Sequence, residues 1–224
     1  MEKAITLSEK APPAKPARSN RKVENREDKT RVRLSQQVII STAADLFARN
    51  GFGATSLDDI GEALGVTKGA LYYHIKNKEE ILKLIFMTVL AVSEEPLRQI
   101  ARAEIPPADK LNRAIAHHSA VAADRSPAMQ VFYREDVHLT GPFAREIAAR
   151  KKAYERLFEE IIEEGIRLGQ FRQDIDPKIA AFGILGMCNW LSQWYRPGRA
   201  YNPQQIASFF SQLAEFGLVL QDEK

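Results

Sequence analysis

Apolar residues recur at helical spacing along most of this chain. Ile39, Ala43, Leu46 and Phe47 open the pattern, and Asn50-Gly51 closes it with a C-cap signal. Leu57, Ile60, Ala63 and Leu64 predict a short second helix, capped by Thr55 or Ser56, with Asp58 and Asp59 placed to favour its dipole. Gly65 stops it. Thr67 caps another short helix ending near His74. Asn77 then caps a long one running from about 78 to 101, with Glu80 at the capping-box position and Ile81, Ile85 and Val89 as its stripe. Pro106-Pro107 opens a helix carrying Leu111, Ile115 and Ala122, and Ser126-Pro127 a short one with Val131 and Phe132. A long helix follows Gly141-Pro142 and ends near Gly169; Asp176-Pro177 and Asn202-Pro203 open the last two. No segment alternates with the period of a strand. The pattern predicts an all-α fold of about nine helices.

Residues 1–29 carry no such pattern. They are rich in Pro, Ala, Lys and Arg, and read as a disordered basic arm. Two folded parts are expected after it: residues 30–82, built of short capped helices, and residues 83–224, built of longer ones.

Charge sharpens the picture. The chain of 224 residues has a formal net charge of +3. Residues 1–33 hold ten Lys/Arg and five Asp/Glu, so the basic excess sits at the N-terminus, as a polyanion partner would favour. A single cysteine, Cys188, precludes an intramolecular disulfide and fits a reducing compartment. Residues 1–30 hold no apolar signal region, and the apolar run from Ile179 to Leu191 is shorter than the ~20 residues that span a bilayer. The expectation is a cytoplasmic protein with no membrane association.

The region 57–74 reads as helix, tight turn at Gly65-Val66, helix, which is the pattern whose second helix enters the DNA major groove. Thr67, Lys68 and Gly69 fall in its first turn, where side chains reach base edges. Gly69 and Ala70 are small enough for close backbone approach, and Lys68 can donate to guanine. Tyr72, Tyr73 and His74 suit phosphate oxygens or thymine methyls. Lys78 opens the next helix, and Thr55 precedes the first; both are placed for phosphate. Leu71 packs inward with Leu57, Ile60 and Leu64, and one of Tyr72 and Tyr73 is a candidate to join it.

The stretch ATSLDDIGEALGVTKGALYYHIKNKEEIL, residues 54–82, preceded by VIISTAADLFARNGFGATS, resembles the DNA-binding domain of the tetracycline-repressor (TetR) family. The likeness covers roughly residues 34–82; Ile75 stands where the family usually has Phe, a conservative apolar change. The resemblance implies a homodimeric transcriptional regulator, usually a repressor, with a C-terminal helical domain that binds a small molecule and dimerises. It carries DNA contacts onto Thr55, Thr67, Lys68, Gly69, Tyr72, Tyr73, His74 and Lys78. A two-fold dimer implies a palindromic operator in double-stranded DNA. Arg21, Lys22, Arg26, Arg31 and Arg33 of the arm are candidates for further backbone contacts.

In the C-terminal part, Ile206, Phe209, Phe210, Leu213, Phe216 and Leu220 fall on one face of the last helix. The helix before it is apolar nearly all round, and Gly183 and Gly186 permit close approach. Two such helices from each of two subunits would make an isologous four-helix interface, with Phe182, Leu185, Phe209, Phe210, Leu213 and Phe216 at its centre. The alternative is an internal core. Candidates for the effector pocket are Phe86, Met87, Phe132, Phe143, Tyr154, Phe158, Met187 and Trp190. CNWLSQWYRPG (188–198) and EEGIRLGQFRQDIDP (163–177) resemble TetR regulators of fatty-acid, steroid and aromatic degradation, several of which respond to acyl-CoA thioesters. Such an effector needs cations, and Arg134, Arg145, Arg150, Lys151 and Lys152 are the nearby group, although Arg150, Lys151 and Lys152 point to successive faces. The alternatives are a multidrug-type repressor with buried acidic residues, among Glu94, Glu135 and Glu146, and a helical ligand-binding protein without DNA binding.

An enzyme is not expected: the chain has no Gly-rich phosphate loop, nucleophile elbow or His-x-x-x-His. Adjacent His117 and His118 diverge on a helix. His138 beside Glu135 and Asp136 reads as a solvated polar group before a metal site. Cys188 reads as a core thiol. No cofactor and no metal are expected.

Overall fold

The computed structural model describes residues 34–219. The expected basic arm, its arginines and lysines, and Leu220 lie outside the described residues. Among the described residues there are ten α-helices: α1 (Gln36–Asn50), α2 (Leu57–Leu64), α3 (Lys68–Tyr72), α4 (Lys78–Arg102), α5 (Pro107–Ala123), α6 (Pro127–Arg134), α7 (Gly141–Arg167), α8 (Pro177–Asn189), α9 (Leu191–Trp194) and α10 (Pro203–Leu218). A 3-10 turn, Asp136–His138, follows α6. The tenth helix beyond the expected nine is α9, a single turn that resumes after Trp190. An antiparallel bridge between Phe171 and Val219 is isolated.

The sequence caps act as local chemistry dictates. Ser56, not Thr55, caps α2: its hydroxyl accepts from Asp59 N while the Asp59 carboxylate accepts from Ser56 N. That carboxylate is held below its usual range, first by the Ser56 backbone N–H and then by the Ser56 hydroxyl. Asn77 caps α4 by accepting from Glu80 N at 2.8 Å. The Glu80 carboxylate accepts from Lys76 N at 2.6 Å, one residue upstream of the expected capping-box partner. Asp176 and Asn202 cap α8 and α10 ahead of prolines at the first helical positions.

Two main cores form. The first joins Ile39, Ala43 and Phe47 of α1, Ile60 of α2, Leu71 of α3 and Ile81 to Leu90 of α4, but also Val131 of α6 and Ile147 of α7. This core crosses residue 82, since Ile85, Phe86 and Leu90 of α4 belong to it with Ile81 and Leu82. The second core gathers Leu97, Leu111, Ile115, Phe158, Ile161, Ile162, Ile184 and Leu185 from α4, α5, α7 and α8. Ile75 is fully buried in the first core, so the Ile-for-Phe change keeps an apolar plug there.

Candidate functional site: a DNA-reading helix and an apolar cavity

The reading helix is shorter than the sequence implies. Helix α3 has five residues, followed by one further turn in which His74 N and Ile75 N donate to Leu71 O. Gly65 makes the turn from α2 with φ of 65°, a conformation open to glycine at no steric cost. Leu71 points into the core. Thr67, Lys68, Gly69, Tyr72 and Tyr73 are exposed, and His74 is half-buried. Neither tyrosine is core: Tyr72 is 50% and Tyr73 86% exposed. The Tyr73 and His74 rings meet edge to face at 5.1 Å. Tyr73 is the C-cap of α3, with its side chain turned to solvent. Lys68 pairs with Asp58 across the motif at 2.9 Å, and that hydrogen bond raises its pKa.

Two expected DNA contacts are differently placed. Thr55 is 2% exposed, and its hydroxyl donates to Gly51 O at 2.9 Å. Its side chain braces the turn between α1 and α2 and does not reach outward. The Lys78 ammonium donates to Phe52 O at 2.7 Å and Thr55 O at 2.8 Å, and lies 4.3 Å from the centre of the Phe52 ring. At least two of its three protons are committed to fixing that same turn. Sequence position alone does not reveal either role, because the acceptors are backbone oxygens, and those of Lys78 lie more than twenty residues upstream.

Tyr73→Ala should weaken operator binding about tenfold or more at matched salt, while oligomeric state and melting temperature stay unchanged. The side chain makes one aromatic contact within the chain and is otherwise free, so its removal costs the fold little. Unchanged affinity by fluorescence anisotropy would remove Tyr73 from the DNA contacts.

A cavity of about 660 Å³ lies between α4, α5, α6, α7 and α8. Leu90, Phe132, Tyr154, Phe182, Leu185 and Trp190 supply apolar wall. Of the expected pocket residues, Phe132, Tyr154 and Trp190 line it. Phe86 and Phe143 instead pack in the first core, Phe86 meeting the rings of both Phe132 and Phe143. Met87 contacts the Arg150 guanidinium through its sulfur, while Met187 and Phe158 belong to the second core. Helical spacing could not separate these two fates, because the same stripe serves core and cavity.

A buried polar station carries no sequence signature. His118 bonds Tyr154 Oη at 3.0 Å through Nδ1 and Asn189 Oδ1 at 3.0 Å through Nε2. Burial pushes the His118 imidazole down to about 4, so it is neutral near pH 7. A neutral ring with Nε2 donating to Asn189 accepts from Tyr154 at Nδ1. The carboxamide oxygen of Asn189 is thereby occupied, and its NH2 group remains for a ligand acceptor. Tyr133, whose hydroxyl is 3.5 Å from the same oxygen, is pushed up to about 12 by burial. His117 points the other way, to Ser93 O.

The charged candidates sort cleanly. Lys151 lines the cavity, 3.6 Å from Asp136 and 5.1 Å above the Phe132 ring. Arg150 is held by both carboxylate oxygens of Glu94. Arg145 and Lys152 are off the cavity lining. Glu135 pairs with His138, and Glu146 with Lys83. The three glutamates a drug pocket would want thus have partners elsewhere, off the cavity lining; Asp136 and Glu155 are the acids on that lining. No group of three metal-ligating side chains occurs among the described residues. Cys188 is buried, and its thiol is pushed up to about 11 by burial.

The outer faces of α8 and α10 are apolar and bare. Phe182, Phe209, Leu213 and Phe216 are exposed, Phe209 by 57% and Phe216 by 73%, and the positions of Gly183 and Gly186 open on empty space. Leu185 departs from the expected interface set: it is buried in the second core. Phe210 is half-buried between cores. The last helix therefore has two apolar faces where its sequence suggested one: Ile206, Ala207, Ala214 and Leu218 look inward.

These features define a helix-turn-helix regulator with a helical effector domain. Residues 39–85 match the family described as bacterial regulatory proteins, tetR family, and residues 104–218 match the tetracyclin repressor-like C-terminal domain. The chain belongs to the TetR family of transcriptional regulators, which are DNA-binding proteins and not enzymes. It is 30% identical over 186 residues to the transcriptional repressor KstR2 of Rhodococcus jostii, spanning 80% of this chain and 89% of that protein. It is 25% identical over 182 residues to the fatty acid metabolism regulator protein of Bacillus subtilis, spanning 80% and 93%. Among solved structures, AibR in complex with isovaleryl coenzyme A and operator DNA superimposes with a TM-score of 0.71 at 29% identity, covering 81% of this chain and 97% of AibR. No described helix is long and apolar enough to cross a membrane.

Proposed function

We propose that this protein is a homodimeric cytoplasmic repressor of a catabolic gene cluster, for a fatty acid, steroid or aromatic acid, released from a palindromic operator by an acyl-CoA thioester. Helices α4 and α6 carry the reading: each supplies residues both to the cavity lining and to the core that holds Leu71 of α3. Leu90 and Phe132 line the cavity, while Ile81, Ile85 and Val131 belong to the core that also holds Leu71 of the reading helix. From the cavity, Asp136 opens the 3-10 turn that ends at His138. The His138 ring lies 5.2 Å from Phe52, whose carbonyl and ring hold Lys78. An effector that fits a state with wider spacing of the two reading helices lowers operator affinity by that difference. Such a coupling free energy is typically about 1–3 kcal/mol, and operator DNA must lower effector affinity by the same factor.

The apolar wall supports an acyl group, and the amide of Asn189, an exposed residue on the cavity lining, supports a carbonyl oxygen beside it. AibR, with isovaleryl coenzyme A, is the neighbour that supports the thioester. The α8 and α10 faces support a second copy as partner, since a helix pair left this apolar needs a cover.

The test is binding of the purified protein to its own upstream intergenic DNA at fixed salt, with a panel of acyl-CoAs, the matching free acids and hydrophobic drugs. Release by a thioester and not by its acid is the expected result. Release by drugs alone would make the protein a multidrug-type repressor. Absence of specific DNA binding would leave only a helical ligand-binding protein.

A further inference from the structure

A second hollow, of about 390 Å³, adjoins the cavity and shares Tyr133, Ser192 and Gln193 with its wall. Arg125, Arg134 and Arg196 line it, against one carboxylate, Asp124. That carboxylate is engaged locally, accepting from Ser126 N at 2.8 Å and Ser126 Oγ at 3.0 Å at the start of α6. No ion pair joins any of the three arginines to a carboxylate among the described residues.

Their roles differ. Arg125 is built into the wall: its terminal nitrogens donate to the carbonyls of Leu191, Ser192 and Tyr195, closing the end of α9, and its Nε is buried without a partner. Burial, and then the charges of Arg196 and Arg134, lower its pKa. Arg196 is exposed and donates from one nitrogen to Gln193 O and Tyr195 O, which leaves the rest of its fork free. Arg134 is exposed at the end of α6. Three guanidinium groups turned to one hollow repel one another. A multivalent anion relieves that repulsion, and guanidinium forks match phosphate oxygens in pairs.

We propose that this basin binds the phosphate-bearing nucleotide end of a coenzyme A thioester whose acyl group fills the adjoining cavity, with the connecting arm passing over Tyr133, Ser192 and Gln193. The assignment rests on the acyl-CoA reading above and gives it a place for the charge. Lys151 lines the cavity and not the basin, is engaged with Asp136 and Phe132, and is not needed for it. The basin also separates the cations expected from sequence: of the five considered there, only Arg134 belongs to it, and its companions Arg125 and Arg196 come from the α5–α6 and α9–α10 loops.

The experiment is isothermal titration calorimetry of the full-length protein with coenzyme A itself, pantetheine and adenosine 3′,5′-bisphosphate, beside the Arg134→Gln/Arg196→Gln variant. Both substituted residues are exposed, so thermal unfolding of the variant should match that of the parent chain. Coenzyme A should bind the parent with an affinity that falls as salt rises, and the variant at least tenfold more weakly. Pantetheine should bind both alike. Binding of adenosine 3′,5′-bisphosphate with the same arginine dependence would assign the nucleotide end directly. No binding of coenzyme A to the parent, or equal binding to both, overturns the assignment. An acyl-CoA that releases operator equally from both proteins overturns the basin and leaves the repressor reading intact. Arginine-dependent coenzyme A binding without operator release by any thioester does the reverse.

Discussion

Phe209→Asp combined with Phe216→Asp should yield a folded monomer whose operator affinity is at least a hundredfold lower. Both rings stand on the outer face of α10, exposed by more than half, so the substitutions remove little from either core. In an isologous interface each change occurs twice and places carboxylates against apolar surface or against each other. Exposed aromatic anchors of this kind each contribute on the order of 2 kcal/mol or more at a well-packed interface. Two reading heads held together bind a two-fold operator with an effective concentration that separate heads lack, worth roughly 10²–10⁴ in affinity. Sedimentation equilibrium, far-UV circular dichroism and operator titration at matched salt test the three parts separately. A variant that stays dimeric would show that these rings are not the interface. Monomers that still bind operator tightly would show that dimerisation does not set affinity.

Gly165→Ala should destabilise the protein strongly, although a helix interior normally gains from that change. Alanine is favoured over glycine by about 1 kcal/mol in a helix interior. Gly165 lies near the end of α7, and a methyl group there would stand 2.1 Å from Phe171 Cδ2 and 2.8 Å from its Cγ. Phe171 is fully buried and cannot swing away. Its place is set by the chain itself: Gly169 turns the backbone with φ of 70°, Phe171 N donates to Gly165 O at 3.1 Å, and Arg172 N donates to Leu218 O at 2.8 Å. Overpacking costs typically about 1–3 kcal/mol and sometimes more. In a chain of this size each kcal/mol shifts melting by about 2–4 °C. A net fall of several degrees is expected at fixed protein concentration, with partial recovery on adding Phe171→Leu. A raised melting temperature would mean that the ring is free to move.

The candidate DNA site is largely legible in the sequence. Thr67, Gly69, Tyr72 and Tyr73 lie within one short run whose caps and turn are local, and local chemistry is what a sequence displays. Thr55 and Lys78 escape such a reading because their partners are the backbone oxygens of Gly51, Phe52 and Thr55, brought near by the turn of the chain. The cavity is half legible. Its aromatic residues are among those the periodicity picks out, but Phe86 and Phe132 sit in ring contact and only Phe132 faces the cavity. The His118–Asn189 station joins positions far apart in sequence, which no spacing rule connects.

By itself the sequence determined the all-α class, nearly every helix and its cap, and the helix-turn-helix, because those follow from periodicity and from hydrogen bonds within a few residues. Tertiary structure alone decided which apolar residues are core, cavity or bare outer face. It also decided which cations meet in one basin, and that Gly165 must stay small. Those outcomes depend on which distant side chains share a volume, and a one-dimensional pattern holds no measure of volume.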